Sequence, residues 1–468
     1  MPSIACLQML QRELADCIIR CAPLDDIRIL LACGAKVNEP VTQGLRPIHY
    51  AAFQQYLEAL NLLLVRGSDP NAMDEIGYTA LHLCAERGYE DLVHLLLKHN
   101  ARVSFTELTD CDKSLGNPPR AVLADEPLRL AIKNGHYEVA EILLQNGANP
   151  NARYFLGAEI NLISPLNTRF LDLLLKYGAD PNSRDRTGLT PLMKACRHPQ
   201  GLLAAQILIK HGADVNDMTS ERHDNRTVLH YAVLSGNMDT VKLLLRHGAV
   251  VKFSPDYMKP SPLDFAILRG NPDMVSLLID SGADVNLGSP IIGCPLHIAL
   301  SEKVENKKEI IKLLLECGAD PNAVSVCEDG PLIKPPIGEY FNSCDNPTED
   351  IIRLLLKYGA RIVIRNQVHH PLGILKCVHR LHPQSHPEAL EVVLEAAESY
   401  SAASINRSLL LTDQQRHALN EHALTPLPLK HIMRIYIRNL LGGGSIVIKK
   451  AQCLPIPRTL KMYLLYEI

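Results

Sequence analysis

The segment Thr227-Val228-Leu229-His230-Tyr231-Ala232, followed by Leu244-Leu245 and then Gly248, contains the pattern that decides the fold. An aliphatic pair, two variable residues and a glycine (once an asparagine) occur ten times along the chain. The copies are Leu30-Leu31 with Gly34, Leu63-Leu64 with Gly67, Leu96-Leu97 with Asn100, Leu143-Leu144 with Gly147, Leu174-Leu175 with Gly178, Leu208-Ile209 with Gly212, Leu244-Leu245 with Gly248, Leu278-Ile279 with Gly282, Leu314-Leu315 with Gly318 and Leu355-Leu356 with Gly359. The mean spacing is about 36 residues, which predicts a stack of similar helical units.

The start of most units carries a second recurring motif. Its copies are Arg46-Pro47-Ile48-His49-Tyr50-Ala51, Thr79-Ala80-Leu81-His82, Thr190-Pro191-Leu192, Thr227-Val228-Leu229-His230-Tyr231-Ala232, Ser261-Pro262-Leu263 and Cys294-Pro295-Leu296-His297-Ile298-Ala299. Proline is tolerated in the first helical turn, and glycine can end a helix in the left-handed conformation. The copies resemble the Thr-Pro-Leu-His-x-Ala signature of the ankyrin repeat family. The resemblance implies an all-α solenoid of about ten to eleven repeats, some irregular, over residues 1–400.

The composition of the 468-residue chain is globular, with 47% hydrophobic residues, 21% charged residues and a formal net charge of -3. This charge predicts no general attraction to nucleic acid or to an anionic membrane. No apolar run reaches the length of a membrane-spanning helix, and charged residues interrupt the apolar stretch of residues 1–20, so neither a membrane partner nor a secretory signal is expected. The thirteen cysteines form no Cys-x-x-Cys pair, so we expect reduced thiols in the cytoplasm or the nucleus.

The histidines could suggest a metal site or catalysis. Four of them occupy one position of the repeat motif, where we expect the imidazole to hold the turn by hydrogen bonding: His49, His82, His230 and His297. Five more surround Cys377, but without the well-spaced cysteine pair of a zinc site: His369, His370, His379, His382 and His386. Phosphate-loop and nucleophile-elbow motifs are also missing. The sequence therefore predicts no catalytic residue, no metal and no cofactor.

Two segments interrupt the repeat pattern, at residues 104–125 and 331–349. Insertions in solenoids map to loops, often on the binding face. Apolar residues in these segments are not needed for stacking, so they are predicted to be exposed and to bind a target protein: Phe105, Leu108, Tyr340 and Phe341. The alternative is that these loops fold back over the gap left by a shortened fifth unit near Leu166.

A different pattern begins after residues 401–423, which carry no repeat and are predicted to be a connector. One apolar stripe at helical spacing follows a proline-rich start and comprises Leu429, Ile432, Met433, Tyr436, Ile437 and Leu440. Lys430, Arg434 and Arg438 recur every four residues on another face. Gly442-Gly443-Gly444 ends the helix. Such a helix could simply cap the solenoid.

The order of features over residues 424–468 resembles the SOCS box. A helix that opens Pro428-Leu429 is followed by a linker, by Leu454-Pro455-Ile456-Pro457 and by a final apolar segment. Together with the repeats, this order resembles the ankyrin repeat and SOCS box family. In that family the first helix, the BC box, docks elongin C, and the Leu-Pro-x-Pro segment selects cullin-5.

The resemblance places the BC box at about residues 427–441 and the cullin-5 box at about residues 451–466. It implies that elongin C is bound by Leu429, Ile432, Met433 and Ile437, and that cullin-5 is bound by Leu454, Pro455, Ile456 and Pro457. Met433 stands where the family usually has a cysteine.

The implied function is that of a non-catalytic substrate receptor in a ubiquitin ligase. Its expected partners are elongin B, elongin C, cullin-5 with its RING partner, and a target protein that the sequence does not identify. The alternative is an ankyrin scaffold protein with a vestigial or capping C-terminal box, which would capture no elongin.

Overall fold

The computed structural model describes residues 4–105, 125–154, 156–254, 257–289, 292–301, 303–324, 333–442 and 445–467. The chain divides into two compact units, Met1–Asp214 and Val215–Ile468. The described residues are mostly helical, with four short strands. This confirms the predicted all-α class. None of the described helices is long and apolar enough to cross a membrane.

The first compact unit contains six helical pairs. The helices are α1 Ile4–Ile19, α2 Leu24–Ala32, α3 Pro47–Phe53, α4 Leu57–Val65, α5 Ala80–Arg87, α6 Glu90–Lys98, α7 Pro127–Asn134, α8 Tyr137–Gln145, α9 Glu159–Leu162, α10 Thr168–Lys176, α11 Pro191–Arg197 and α12 Leu202–Lys210. Helices α3, α5 and α11 carry the motif at their N-termini, and the second helix of every pair carries the aliphatic pair. Strands β1 Arg153–Tyr154 and β2 Gly157–Ala158 pair antiparallel before α9.

The second compact unit contains five further pairs and a C-terminal group of helices. The pairs are α13 Val228–Ser235, α14 Met238–Arg246, α15 Pro262–Leu268, α16 Pro272–Asp280, α17 Pro295–Ala299, α18 Lys307–Glu316, α19 Pro336–Ser343, α20 Glu349–Lys357, α21 Leu375–Val378 and α22 Pro387–Ala396. The C-terminal helices are α23 Ala402–Arg407, α24 Asp413–Leu424, α25 Leu429–Leu441, α26 Ser445–Cys453 and α27 Arg458–Leu464. Strands β3 Ile362–Ile364 and β4 Ala397–Tyr400 pair in parallel.

The motif histidines hold the turns, as predicted. In α13, Nδ1 of His230 accepts the backbone N–H of Thr227 at 2.9 Å, and its Nε2 lies 3.1 Å from the carbonyl of Pro260 in the next repeat. His49 and His297 make the same two contacts. One imidazole therefore closes a helix N-terminus and links two repeats.

A ladder of asparagines, which the sequence analysis did not identify, forms a second link. Each asparagine lies four residues after the glycine that ends its repeat. Its Nδ2 donates to the carbonyl of the equivalent residue in the next repeat at 2.8–3.3 Å, and its Oδ1 accepts a nearby backbone N–H at 2.7–2.9 Å. The members are Asn38, Asn71, Asn151, Asn182, Asn216, Asn286 and Asn322. The ladder satisfies backbone groups at the ends of helices.

The predicted exposure of the inserted aromatic residues was wrong. Tyr340 and Phe341 are fully buried within α19, the first helix of the tenth repeat. The expectation failed because the spacing from Leu332 to Leu355 is 23 residues, against 15 from Ile48 to Leu63, which indicates an insertion, whereas the first helix of this repeat begins at Pro336. The spacing to the aliphatic pair was thus misjudged.

Phe105 is also buried, so the same expectation was wrong there. Its ring lies 4.8 Å from that of His82, and its backbone N–H donates to the carboxylate of Glu126 at 3.0 Å. Leu108 lies outside the described residues. Phe105 is buried rather than exposed because an apolar side chain that packs against a motif histidine extends the core of the stack.

The fifth repeat is shortened, as predicted, but the shortened part is its first helix, which lies before Leu166 rather than at it. Its first helix, α9, has only four residues and ends before Pro165. Ile160 supplies the buried apolar contact, while Leu166 is exposed. The Pro165-Leu166 sequence imitates the motif without forming its helix.

We predict that replacing His230 by glutamine weakens the acid sensitivity of the second compact unit. Burial lowers the pKa of His230 to about 4 in the folded protein, whereas the pKa of a histidine in an unfolded chain is about 6.5. Between these values the unfolded chain holds more protons, so the folded state loses stability as the pH falls from about 6.5 to about 4. Glutamine can still accept the capping hydrogen bond but does not titrate. Thermal unfolding at about pH 7.5 and pH 5 measures the difference.

The control for this experiment is His94→Gln, which changes an exposed histidine. It should leave the pH dependence as in the unaltered chain. An equal acid-induced loss in the His230→Gln variant would contradict the assignment of this titration to His230.

We predict that Phe341→Ala lowers the free energy of unfolding by about 3–5 kcal/mol, because it leaves a cavity in the core of the tenth repeat. Chemical denaturation measures the loss. Val368→Ala, at a side chain that is 76% exposed, serves as the matched control. A loss no greater than that of the control would contradict a core position for Phe341.

Candidate functional site

The predicted connector, residues 401–423, folds against the last repeat. Helix α24 starts with a capping box in which Thr412 and Gln415 exchange hydrogen bonds. The buried Gln415 amide then donates to the carbonyls of His379 and Leu381 at 3.0 and 2.8 Å. Because α21 and α24 are joined in this way, α25 starts from a fixed point.

Helix α25, which is the predicted BC box, presents two opposite faces. Its apolar stripe is exposed: the side chains of Leu429, Ile432, Met433, Tyr436 and Leu440 are between 45% and 74% accessible. On the opposite, basic face Arg434 and Arg438 are buried, only 4% and 8% accessible, while Lys430 at the start of the helix is exposed. The usual arrangement of an amphipathic helix is therefore reversed, with the cations inside and the apolar residues outside.

The basic face stacks with Tyr463 of α27 and with Tyr466, which follows the end of that helix. Along the stack, cations alternate with rings: the Nζ of Lys430 lies 3.9 Å from the Tyr463 ring centre, the Arg434 guanidinium lies 4.4 and 4.0 Å from Tyr463 and Tyr466, and that of Arg438 lies 5.0 Å from Tyr466. The four-residue spacing of the cations on α25 matches the three-residue spacing of Tyr463 and Tyr466 at the end of α27. Such desolvated cation–π contacts are stronger than exposed ones.

The buried cations also bind the carbonyl ends of helices. Arg438 donates to the carbonyl of Leu356 near the end of α20 and, at 2.5 Å, to that of Leu464 at the end of α27. Arg434 donates to the carbonyl of Glu395 in the last turn of α22 at 3.0 Å. Helix C-termini carry unpaired carbonyls and a partial negative charge. The two arginines therefore cap three helices at once.

His431 adds a contact to the same junction. Its Nε2 lies 3.0 Å from the carbonyl of Ala397, and its Nδ1 lies 2.9 Å from the Arg434 guanidinium. Burial lowers the pKa of His431, opposed by the hydrogen bond to Ala397. The neutral imidazole thus donates to the carbonyl and accepts from the arginine.

The box has a small core of its own, formed by Leu441, Val447, Ala451 and Leu465 with Ile437, Ile448 and Leu454 packed against it. Ile437 is therefore not a free member of the stripe, and its predicted contact with elongin C is at most shared with this core. Leu454 is half-buried for the same reason. Gly442 ends α25 at a φ of 97°, in the region that favours glycine.

The remaining predicted cullin-5 contacts lie between α26 and α27. Pro455 and Pro457 are exposed and Ile456 is half-buried. Pro457 starts α27 with a φ of -54°, close to the angle that its ring imposes. The segment presents its prolines from a preordered turn.

Among the described residues, no group of three or more His, Cys, Asp or Glu side chains is arranged to hold a metal ion. Cys377, in the histidine-rich segment, is buried, and burial raises the pKa of its thiol to about 11. His386 binds the side chain of Asn346.

Comparison with known proteins identifies both parts of the chain. The ankyrin repeat model matches residues 19–107, 48–154, 163–254, 216–289 and 255–325, and the SOCS box model matches residues 425–465. The ankyrin repeat domain of Bcl-3 matches with a TM-score of 0.40 and 22% identity, covering 50% of this chain and 97% of that domain.

Several curated proteins are similar in sequence. The human ankyrin repeat and SOCS box protein 6 is 29% identical over 382 residues, covering 71% of this chain and 79% of that protein. The human transient receptor potential cation channel subfamily A member 1 is 25% identical over 335 residues, covering 68% of this chain and 27% of the channel. The chain spans 29% or less of the length of the first three curated relatives that it matches. Since ankyrin models cover more than half of its residues and a SOCS box follows them, this chain belongs to the ankyrin repeat and SOCS box family.

Proposed function

We propose that this protein is the substrate-recognition subunit of an elongin B/C–cullin-5 ubiquitin ligase. The observation that carries the proposal is the exposed apolar stripe of α25, on a helix whose opposite face packs against its own chain through Arg434 and Arg438. Large apolar side chains that lie together at a protein surface usually mark a protein interface. A helix with apolar anchors at this spacing suits a partner with a hydrophobic groove.

Leu429 is the proposed anchor of the elongin C interface. It lies at the first position of α25 and is 74% accessible, so it can enter a pocket without any rearrangement of the box. Ile432 and Met433 follow on the same stripe. A methionine at the usual cysteine position is larger but flexible, so it can adapt to the same pocket.

The exposed prolines of the 454–457 segment are the proposed cullin-5 contacts. They lie beyond α26, whereas the proposed elongin anchor lies at the start of α25. Two separate surfaces on one box fit a receptor that first binds elongin B and elongin C and then recruits cullin-5 and its RING partner.

The repeats are the proposed target-binding part. Because Phe105, Tyr340 and Phe341 belong to the core, we propose that the target binds surface residues of the repeats instead. The receptor itself needs no catalytic group, because holding a target lysine near a charged ubiquitin carrier is catalysis by proximity. The ten described cysteines that are free fit a role in the cytoplasm or the nucleus.

The second candidate function is a scaffold whose box only caps the repeats. The buried basic face of α25 would serve that role equally well. The exposed stripe is the observation against it, because a mere cap has no need of five accessible apolar side chains.

We predict that Leu429→Ala weakens elongin B/C binding by about 2–4 kcal/mol, the usual effect of truncating a central interface anchor. Isothermal titration of the full chain with purified elongin B/C measures the change. Leu409→Ala is the matched control, because Leu409 is 98% accessible and lies outside the stripe. Equal affinities for both variants would exclude Leu429 as the anchor.

We predict that replacing Pro455 and Pro457 together by alanine reduces cullin-5 binding while elongin B/C stays bound. Proline preorders the exposed turn, and its loss adds an entropic cost to binding. Leu454 is left unchanged because it packs against the core of the box. Gel filtration of a mixture of this protein, elongin B/C and cullin-5 checks the outcome. Simultaneous loss of elongin and cullin would mean that the elongin-binding and cullin-binding surfaces are not separable.

A further inference from the structure

We propose that Arg434 and Arg438 are positioning residues for ubiquitin transfer: they hold the elongin-binding helix in one orientation on the tenth and eleventh repeats. This inference rests on the proposed function, because it concerns the geometry of the ligase that the box recruits. It assigns a task to the basic face of α25, which the elongin and cullin surfaces leave unused.

The contacts fix both the position and the rotation of α25. Arg438 reaches the end of α20 in the tenth repeat, and Arg434 reaches the end of α22 in the eleventh. The two arginines lie four residues apart on α25, so both contacts break if the helix rotates about its axis or slides along it. A single contact would allow either motion.

Burial makes this orientation strongly preferred. Within the described part of the chain, neither arginine has a carboxylate partner in an ion pair; helix-end carbonyls and tyrosine rings compensate their charges. A guanidinium that leaves these acceptors while it stays buried loses its hydrogen bonds without gaining water. Intermediate orientations are therefore unfavourable.

A second set of contacts supports the same arrangement from α20. The Nζ of Lys357 lies 2.7 Å from the carboxylate of Glu467, and Arg353 donates to the carbonyl of Tyr466 at 3.5 Å. The last residues of the box are thus attached to the tenth repeat independently of α25.

The arrangement leaves the apolar stripe free while the basic face is engaged. Elongin binding and attachment to the repeats can therefore occur together. The tenth and eleventh repeats and the box that recruits the ubiquitin carrier then move as one body. A fixed orientation limits which lysines come within reach of the carrier.

The test compares distances between the repeats and the box. Spin labels are introduced as unnatural amino acids at two exposed lysines, Lys312 on α18 and Lys450 on α26. Pulsed electron double resonance is recorded for the full chain alone and with purified elongin B/C. We expect one narrow distance distribution for the unaltered chain, and a distribution at least twice as broad for Arg438→Met and Arg434→Met. Elongin affinity should stay within about threefold, because the stripe is unchanged.

Arg458→Met is the matched control, because Arg458 belongs to the same box but is exposed; it should keep the narrow distribution. The second readout is the set of this chain's own lysines that become ubiquitinated. It is measured after the chain is combined with elongin B/C, cullin-5 with its RING partner and a ubiquitin-charging system. We expect Arg438→Met to spread modification over more lysines, and Arg458→Met to preserve the original set.

A narrow distribution in both arginine variants would overturn the proposal. Should Arg438→Met lose elongin binding because the box unfolds, Arg434→Met alone decides, since Arg434 makes a separate contact with the end of α22: a broadened distribution supports the proposal, and an unchanged one refutes it. If the unaltered chain fails to bind elongin B/C, the proposed function is wrong, whereas the distances in the free chain still test the attachment.

Discussion

Each helical pair of this protein can bury its aliphatic residues only against the next pair, and the rest of the structure depends on this constraint. The links that hold neighbouring repeats in register are polar and recur with the repeat. Three motif histidines, His49, His230 and His297, join one repeat to a carbonyl of the following one, and the asparagine ladder does the same at the opposite end of the unit. Apolar stacking supplies the stability, and these hydrogen bonds select one register out of several similar ones.

The same constraint explains how the array ends. The last helices of the array end in carbonyls that no further helical turn pairs. In this protein the carbonyls at the ends of α20 and α22 accept hydrogen bonds from the guanidinium groups of α25. The box therefore packs directly against the last repeats. A buried arginine without a carboxylate is costly in general. Here the cost is offset by helix-end carbonyls and by Tyr463 and Tyr466, which a single helix face can reach together.

Reversal of the amphipathic pattern follows from this arrangement. Because the cations of α25 serve the interior, its apolar residues are left for a partner. The small core of the box uses Ile437 and Leu454, while Leu429, Ile432 and Met433 remain accessible. Fold and proposed function are therefore compatible on one short helix, since the two faces have separate tasks.

The sequence by itself determined the period of the repeats, the turns held by histidine, the all-α class and the location of the box. These features depend on local spacing, which a chain carries in its order of residues. It did not determine that Tyr340 and Phe341 lie in a core, because Pro331-Leu332 and Pro336-Ile337 are equally plausible helix starts until the neighbouring repeat selects one. It also did not show which face of α25 is buried: an apolar stripe ordinarily points inward, and only the acceptor carbonyls of α20 and α22, contributed by distant segments, make the basic face the interior one. The physical reason is that burial is decided by the partner that a face meets, and the partners here are far apart in the sequence.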